Sequence, residues 1–289
     1  MINKLKYKWS ILSRLVKHKL SLLVTFSAIT GYLLSSGSSF IESIIVFFGV
    51  YLLSGGASAL NQFQERHQDA KMDRTRLRPI PSGELSSRNA LLISFTYILA
   101  GSLLLFTKGW IPAVLGLSNV VFYNLIYTPL KTRSPLSIVP GALVGAVPPL
   151  IGWTVAGDSI THPTIIYIAV FMFLWQLPHF WLLLIMLGKE YEKAGFSSIS
   201  KFFNTTQIKH LVVFWAVITS AFLFFFPVFN IHLPAVLAVI LIIINLGFIY
   251  WFYRLIYGSE ERKAIRGAFI LINSYLMAAL LVFIVNSFL

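Results

Sequence analysis

Long apolar stretches alternate with short polar segments along the whole chain. A stretch of about 17–25 mostly apolar residues is long enough to cross a hydrocarbon core about 30 Å thick. Nine stretches meet this requirement, near residues 19–37, 40–60, 89–107, 111–128, 138–156, 163–187, 209–227, 233–254 and 266–286. Apolar residues come in blocks rather than in alternation with polar ones, which favours helices over the strands of a closed barrel. The pattern predicts an all-α membrane protein.

Charged residues are distributed unevenly between the two ends of these stretches. With nine crossings, one side of the membrane receives the N-terminus and the segments near 61–88, 129–137, 188–208 and 255–265. Every Lys and Arg except Lys108 falls on that side or at its boundary, as does every Asp and Glu except Glu42 and Asp158. Because cytoplasmic loops are enriched in Lys and Arg, we expect a multi-pass protein of the cytoplasmic (inner) membrane with a cytoplasmic N-terminus.

Composition argues against several classes of protein. The chain has no cysteine, so neither disulfides nor thiolate chemistry is available. The net charge of +13 is typical of a nucleic-acid-binding protein, but the aromatic residues lie mostly in the apolar stretches rather than among exposed basic residues. We therefore expect membrane lipid, and no nucleic acid, around this protein. Since the sequence contains no linker, repeat or low-complexity segment, residues 1–289 are predicted to form one polytopic membrane domain.

The segment after the second apolar stretch carries a regular set of polar side chains. Asn61, Glu65, Asp69 and Asp73 recur every four residues. In a continuing helix each step of four adds about 40° and about 6 Å, so the four side chains would line one slanted face. Carboxylates at this spacing repel one another, and charges at membrane depth cost about 2.5–3.5 kcal/mol each. A hard divalent cation would offset both costs, which makes this segment a candidate metal site.

Basic residues and prolines follow directly. Pro79 and Pro81 are expected to end the helix. Arg74, Arg76 and Arg78 would then be held near the acidic face. Carboxylates that bind Mg²⁺ beside arginines suit a phosphorylated ligand, because the metal and the guanidinium groups share the phosphate oxygens. The alternative interpretation is a solvated loop whose arginines follow only the positive-inside rule.

Three further polar residues are candidates for function. Glu190 follows the sixth apolar stretch and could bind a second metal, although a lone glutamate at a helix end is more often a surface charge. Lys131 lies in a turn bounded by prolines, where it would extend a phosphate site or simply obey the positive-inside rule. His179 lies within the sixth stretch beside Pro178, and it either has a function or hydrogen-bonds to a neighbouring helix.

The fifth apolar stretch contains small residues and a proline pair. Gly141 and Gly145 have the spacing typical of close helix packing. Pro148 and Pro149 are expected to break the stretch near the middle of the membrane, where a cavity would result. The fifth stretch is therefore predicted to be an interrupted helix.

Four motifs follow one another between about residues 50 and 205. They are Asn61-x3-Glu65-x3-Asp69 with Arg74-Thr-x-x-Arg78-Pro-x-Pro-Ser-Gly; Tyr127-Thr-Pro-Leu-Lys131; Gly145-Ala-x-Pro-Pro-Leu-Ile-Gly-Trp153; and Leu174-Trp-Gln-x-Pro-His179-Phe with Tyr191-x-x-Ala-Gly195. The first resembles the acidic motif of the UbiA-type intramembrane prenyltransferases. Together the four resemble the branch of that superfamily that farnesylates protoheme IX.

This resemblance implies a bundle of nine helices around a central cavity, with Mg²⁺-dependent use of farnesyl diphosphate and protoheme IX as substrates. By position, the catalytic metal ligands would be Asn61, Glu65, Asp69 and Glu190, and the substrate-binding residues would be Arg74, Arg78, Lys131 and His179. Glu65 and Glu190 stand where the family commonly has aspartate, and Ala194 stands where it commonly has a second acid. A terminal oxidase is a candidate assembly partner.

The implied reaction joins the farnesyl group to a haem vinyl group, and water supplies a hydroxyl group. A second enzymatic hypothesis keeps the fold and replaces haem by a quinone precursor or another lipid acceptor. A third hypothesis, from a different class, is a transporter of a phosphorylated solute. Such a transporter would have internal repeats and charges deep within its helices. In this sequence no repeat is found, and the charges cluster at one predicted face.

Overall fold

The fold is all-helical over the residues that the computed structural model describes, which are 2–37, 39–197, 199, 202–258 and 262–289. The α-helices are α1 (Ile2–Leu15), α2 (His18–Leu33), α3 (Phe40–Gln64), α4 (Arg66–Asp69), α5 (Ser87–Phe106), α6 (Trp110–Val121), α7 (Thr128–Arg133), α8 (Ile138–Val155), α9 (Pro163–Ala194), α10 (Thr205–Leu223), α11 (Ala235–Tyr257) and α12 (Arg262–Asn286). A π-helix, Phe122–Tyr127, joins α6 to α7.

Eight segments of the described chain are long and apolar enough to cross a membrane. They are Phe40–Gln64, Ser87–Phe106, Trp110–Arg133, Pro135–Val155, Pro163–Ala194, Thr205–Leu223, Ala235–Tyr257 and Arg262–Asn286. The first predicted stretch, 19–37, is helical only over His18–Leu33, and these 16 residues rise about 24 Å. The all-α prediction is confirmed, but the structure supports eight crossings by helix length rather than nine. The orientation of the N-terminus stays a prediction.

The chain divides into two compact units. The first contains Met1–Asp158 and Lys189–Ser197, and the second contains Ser159–Gly188 and Ser198–Leu289. The helix α9 contributes most of its length to the second unit and its last six residues to the first. The candidate metal and phosphate residues all lie in the first unit, whereas His179 lies in the second. The prediction of one polytopic domain is untested and stays a prediction.

The proline pair does not interrupt its helix. The helix α8 runs without a break from Ile138 to Val155, so the predicted break at Pro148 and Pro149 is wrong. Pro148 lacks the N–H that would bond to the carbonyl of Val144. Asn119 of α6 supplies the missing donor, because its Nδ2 donates to the Val144 oxygen at 3.1 Å. A side chain from a neighbouring helix thus satisfies the freed carbonyl, as is usual for proline in membrane helices.

Close packing of α2 against α8 depends on glycine. A Cβ atom added to Gly31 would lie 2.0 Å from the Pro149 carbonyl oxygen. A Cβ atom added to Gly152 would lie 1.8 Å from the Ala28 carbonyl oxygen. Both distances are far below van der Waals contact, so no larger residue fits without moving a helix. The close packing predicted for Gly141 and Gly145 stays a prediction.

The three charges predicted for the outer side are all paired in the structure. Lys108 Nζ lies 2.6 Å from Glu42 Oε1, and the Tyr32 hydroxyl donates to Glu42 Oε2 at 3.0 Å. Asp158 Oδ2 accepts hydrogen bonds from Ser36 N–H at 2.8 Å and from the Ser36 hydroxyl at 2.9 Å. These charges therefore serve the packing of helix ends, and we assign them no chemistry.

Candidate active site

Asn61, Glu65 and Asp69 lie on one face of an almost continuous helix. Although α3 ends at Gln64, the Glu65 N–H donates to the Asn61 carbonyl at 2.9 Å and the Asp69 N–H donates to the Glu65 carbonyl at 2.8 Å. The bonding pattern of an α-helix thus continues to Asp69. Asn61 and Asp69 are fully buried and Glu65 is 7% exposed. The predicted polar face therefore exists for these three side chains.

Asp73 does not continue this face, and the prediction that it does is wrong. The helix α4 ends at Asp69, and the chain then turns away. The Thr75 hydroxyl donates to the Asp69 carbonyl at 2.9 Å and fixes this turn. The Asp73 side chain is 86% exposed and forms an ion pair with Arg76 at 3.5 Å. Asp73 is a surface charge.

Each of the three buried oxygen-bearing side chains contacts a different basic side chain. The contacts are Lys17 Nζ to Asn61 Oδ1 at 2.8 Å, Lys131 Nζ to Glu65 Oε1 at 2.5 Å, and Arg78 Nη1 to both carboxylate oxygens of Asp69 at 2.7 Å. A buried carboxylate is stable only when a positive charge compensates it. The side chains of this set, which we call the polar face, are therefore paired one to one without any ligand.

Lys17 is the residue of the polar face that sequence reasoning missed. It lies between α1 and α2 with φ 48° and ψ 53°, a left-handed conformation that costs a residue with a side chain about 1–2 kcal/mol. Gln62 supports the break, because its Nε2 donates to the carbonyls of Arg14 and Leu15, both at 2.8 Å. Burial, and next the positive charge of Arg78, lower the pKa of Lys17 to about 7. In the sequence Lys17 is one of many basic residues near the N-terminus, so no sequence signal distinguishes it from the others.

The π-helix and the residue that follows it are hydrogen-bonded to α3 beside the polar face. Gln64 Nε2 donates to the carbonyl of Asn124, in the middle of the Phe122–Tyr127 turn, at 2.9 Å. Asn61 Nδ2 donates to the Thr128 hydroxyl oxygen at 3.1 Å. Both bonds attach this wide turn to the helix that carries the acids. Because π-helices are rare and often occur at functional sites, this turn is a second feature that the apolar pattern could not reveal.

The segment after α9 packs against Lys131. Ser197 N–H donates to the Lys131 carbonyl at 2.8 Å. Lys131 Nζ lies 4.8 Å from the centroid of the Tyr127 ring and 5.8 Å from that of Phe196. Aromatic faces attract a cation at these distances and keep it in place. The loops near 129–137 and 188–197, which the sequence assigns to one side of the membrane, therefore meet at this lysine.

Glu190 lies one turn before the end of α9 and has an unsatisfied carboxylate oxygen. Its Oε2 is buried and has no hydrogen-bond partner among the described residues. A buried, unpaired carboxylate oxygen is costly, so this atom suits a cation or a proton. Ala194, one turn later, is 2% exposed and packs with Met72 and Phe196. The position of the second acid is thus part of a small apolar core.

Neither Arg74 nor His179, both predicted to bind substrate, is a member of the polar face. Arg74 is exposed in the turn that follows α4. His179 belongs to the second unit, where its ring lies 4.9 Å from the Trp175 ring and 4.8 Å from the Phe269 ring. The roles proposed for both residues stay predictions.

The donor atoms of the polar face fit a hard divalent cation. No group of three or more His, Cys, Asp and Glu side chains forms a metal site within the described ranges. However, one amide oxygen and two carboxylates are ligands that Mg²⁺ prefers, and the bare oxygen of Glu190 adds another. Basic side chains contact these oxygens in the structure, so a metal can bind only when those cations turn to another anion.

Comparison with known proteins identifies a family. Residues 24–275 match the model of the UbiA prenyltransferase family. A protoheme IX farnesyltransferase of Christiangramia forsetii is 32% identical over 287 residues, which cover 96% of this chain and 95% of that protein. A protoheme IX farnesyltransferase of Geobacter sulfurreducens is 36% identical over 220 residues, which cover 76% of this chain and 82% of that protein.

A solved structure shares the fold. It is a UbiA homologue from Archaeoglobus fulgidus bound to GPP and Mg²⁺, with a TM-score of 0.71 over 94% of this chain and 99% of that chain. The two sequences are 15% identical, so the likeness concerns the fold alone.

Proposed function

The chain belongs to the UbiA prenyltransferase family, and we propose that it transfers the farnesyl group of farnesyl diphosphate to a vinyl group of protoheme IX. The observation that carries this proposal is the polar face, where Asn61, Glu65 and Asp69 are buried and each contacts a basic side chain. Haem as the acceptor is supported by the names of the two relatives, both protoheme IX farnesyltransferases. Family membership also argues against a transporter.

The acidic side chains would hold the metal. Asn61, Glu65 and Asp69 would bind Mg²⁺ from the polar face, and Glu190 would bind from the end of α9. Bound Mg²⁺ would supply positive charge to the diphosphate oxygens. Glutamate at positions 65 and 190 provides the same carboxylate as aspartate on an arm that is one methylene longer. Of the four ligands, Glu65 and Glu190 each have a carboxylate oxygen without a hydrogen-bond partner in the described part of the chain, and Lys131 forms an ion pair with that oxygen of Glu65.

The basic side chains would exchange partners when the diphosphate binds. Lys17, Arg78 and Lys131 lie within 2.8 Å of the oxygens of the polar face. If a metal bound those oxygens, all three basic side chains would become available to the phosphate oxygens. Arg78 can donate two parallel hydrogen bonds to a phosphate. We include Lys17 in the diphosphate site on this ground. Positive groups already in place stabilise the charge that develops on the departing diphosphate. Arg74 could reach the same ligand from the neighbouring turn.

The reaction balances as a substitution followed by addition of water. The bond between C1 of the farnesyl group and oxygen breaks, and its electron pair leaves with the diphosphate. The π electrons of the haem vinyl group form the new bond to C1, which leaves a positive charge on the vinyl carbon next to the ring. Water adds there and loses a proton, giving a hydroxyethylfarnesyl group. Burial of the polar face restricts water near the first step.

The eight long apolar helical segments found among the described residues, in a chain of this family, make the protein a multi-pass membrane protein. We propose the cytoplasmic (inner) membrane, with the N-terminus and the polar face on the cytoplasmic side. A terminal oxidase that uses the product is the partner we would test first.

A product analysis tests the proposal. The purified protein in lipid nanodiscs is incubated with farnesyl diphosphate, Mg²⁺ and either protoheme IX or 4-hydroxybenzoate, and the products are identified by mass spectrometry. We expect haem to gain one farnesyl group and one hydroxyl group, and the benzoate to stay unchanged. If only the benzoate is prenylated, haem is not the acceptor, but the assignment of the protein as a prenyltransferase stands. An Asp69→Asn variant should give neither product, and an Asp73→Asn variant serves as the matched control.

A further inference from the structure

The helix α1 exposes apolar side chains, although it is not one of the eight segments of the described chain that can cross a membrane. Leu5 and Trp9 are each 60% exposed. Leu12 lies on the same side, because spacings of four and three residues bring side chains into one stripe along a helix. In the spanning helices, exposed apolar side chains face lipid tails. This apolar stripe of α1 needs another apolar surface to cover it.

Basic side chains flank the apolar stripe on both sides. Lys6 and Lys8 are exposed, and they lie about 100° and 60° from Leu5 in opposite directions around the helix. No Asp or Glu precedes Glu42 in the sequence, so no acidic residue within α1 or α2 offsets this charge. An apolar stripe between basic flanks is typical of helices that lie in the interface of membranes with anionic lipids.

The side of α1 opposite to the stripe is attached to the protein. Arg14 lies about 180° from Leu5 around the helix. Its Nη1 donates to the Leu77 carbonyl at 3.0 Å and to Glu84 Oε1 at 3.1 Å. These bonds bind α1 to the turn that follows α4, so the helix has a defined orientation with Leu5 on the outside.

The membrane is the nearest surface that matches both the stripe and its basic flanks. Only Val16 and Lys17 separate α1 from α2, which packs against the long apolar helices α3 and α8. The ring of Trp9 lies 6.1 Å from that of His18, at the start of α2. Such a short connection gives the lipid surface a high effective concentration. An acidic protein would have to be recruited from solution, so anionic lipid is the favoured occupant.

The C-terminal end of α1 leads directly to the polar face. Gln62 Nε2 donates to the carbonyls of Arg14 and Leu15, and Leu15 is fully buried. Two residues later, Lys17 Nζ contacts Asn61 Oδ1 at 2.8 Å. Because Gln62 and Asn61 are neighbours on α3, the end of α1 and Lys17 are held by the same turn of that helix. A shift of α1 would therefore move Lys17 relative to Asn61.

We propose that α1 docks on the anionic lipid surface of the membrane and that this docking holds Lys17 against Asn61. The second half rests on the proposed function, in which Lys17 belongs to the diphosphate site. The apolar stripe would enter the boundary between headgroups and acyl chains by about 5–10 Å. The lysines would extend to the lipid phosphates, with their apolar stems along the acyl chains. The charge of the lipid would then influence the affinity for farnesyl diphosphate.

Spin labels on α1 test the docking. The chain has no cysteine, so Leu5→Cys and Ser10→Cys each provide a single attachment site. Ser10 is exposed and lies about 140° from Leu5. The full-length protein is placed in vesicles of phosphatidylcholine with or without phosphatidylglycerol. Collisions of the label with oxygen and with a water-soluble nickel chelate are measured by electron paramagnetic resonance. With phosphatidylglycerol, we expect the label at position 5 to be in lipid and the label at position 10 in water. Without it, both should be in water.

Charge variants test the role of the lysines. They are compared at the lipid composition at which half of the label at position 5 is in lipid. Lys6→Gln and Lys8→Gln should each lower the ratio of immersed to exposed label by about fivefold. The matched control combines Lys263→Gln and Arg266→Gln, which change exposed residues at the start of α12, and it should stay within about twofold of the wild type. Salt should lower the ratio without any mutation, because the Debye length falls to about 3 Å at 1 M.

Kinetics test the link to Lys17. The KM for farnesyl diphosphate is measured in nanodiscs of both lipid compositions, for the wild type and for Lys17→Met. Anionic lipid repels the anionic substrate directly, but it does so equally in both proteins. Relative to Lys17→Met, the wild type should therefore lose about three- to tenfold in apparent affinity when phosphatidylglycerol is left out.

Three outcomes would count against the proposal. If the labels at positions 5 and 10 are equally open to the nickel chelate in anionic vesicles, α1 does not dock on lipid, and the stripe is left to an acidic protein partner. If position 5 is immersed equally in both lipids, anionic charge has no role. If lipid composition changes the KM equally in both proteins, the docking does not act through Lys17. The label experiment contains no substrate, so docking without farnesylated haem would remove the proposed function and not the docking.

Discussion

Lys131 Nζ lies 2.5 Å from Glu65 Oε1, although Lys131 belongs to α7 and Glu65 follows the end of α3. Neither charge is stable alone in this buried position, because removing one partner leaves the other without compensation. The same holds for Arg78 and Asp69. Each carboxylate of the polar face is thus compensated by a basic side chain. A metal and a diphosphate carry charges of opposite sign, so binding both together disturbs this compensation less than binding either one alone.

Replacing Asp69 by asparagine should abolish most of the activity. The change preserves the shape of the side chain but removes one metal ligand and the partner of Arg78. We expect kcat to fall by about 10²–10³-fold, as when a preorganised electrostatic group is lost. Product formation is measured by mass spectrometry, and thermal melting reports folding. Asp73→Asn should stay within about twofold of the wild type, because Asp73 is 86% exposed. Equal activity of both variants would contradict the metal assignment.

Replacing Lys17 by methionine should weaken the use of farnesyl diphosphate. A hydrogen bond to a charged group contributes about 1.5–3 kcal/mol, which corresponds to an increase in KM of about tenfold or more. Lys17→Arg should retain part of the affinity, since it restores the positive charge. The matched control is Lys71→Met, which changes an exposed lysine in the turn after α4. A KM for the diphosphate that is unchanged in Lys17→Met would show that Lys17 only stabilises Asn61.

Glu190 and Mg²⁺ should be needed for the same step, the release of the diphosphate. A chelator of divalent cations should stop product formation, and Mg²⁺ should restore it. In Glu190→Gln the Mg²⁺ concentration for half-maximal activity should rise by about tenfold, because the buried oxygen loses its charge. Glu192→Gln, which changes the exposed glutamate two residues later, is the control. An identical Mg²⁺ dependence in Glu190→Gln would leave the metal on the polar face and remove Glu190 from the site.

Gly152→Ala should destabilise the protein far more than Gly247→Ala. The new methyl group at position 152 would lie 1.8 Å from the Ala28 carbonyl oxygen, whereas nothing lies within 4 Å of a Cβ atom at position 247. Overpacking typically costs about 1–3 kcal/mol or more. At position 247 alanine should be neutral or slightly stabilising, since glycine weakens a helix by about 1 kcal/mol. Thermal melting in detergent compares the two variants, and equal Tm values would contradict the close packing of α2 and α8.

Helix length and the spacing of the acids are properties that can be predicted from the sequence. Whether a helix can span the membrane depends on the summed hydrophobicity of neighbouring residues in the sequence. A mostly apolar segment of 25 residues, such as Phe40–Gln64, therefore indicates a spanning helix whatever its tertiary contacts are. The set of Asn61, Glu65 and Asp69 is equally local, because a step of four residues nearly completes one helical turn. The same local argument fails at Asp73, where a hydrogen bond between Thr75 and Asp69 turns the chain away.

Contacts between helices could not be predicted in this way. Proline alone indicates a break in α8, but the side chain of Asn119, on another helix, supplies the missing donor and the helix continues. The left-handed conformation of Lys17 depends on Gln62 of α3, and the pairing of Lys131 with Glu65 depends on how α7 lies against α3.

The sequence by itself determined that this chain is a helical membrane protein and which oxygen-bearing residues share a face, since both follow from distances along one helix. Only the tertiary structure decided that Lys17 contacts Asn61, that α2 is short, and that Nδ1 of His179 is buried without a hydrogen-bond partner in the described part of the chain. The physical reason is the short range of polar interactions. A hydrogen bond or ion pair acts over about 3 Å, and which groups come that close across helices depends on the packing of all of them.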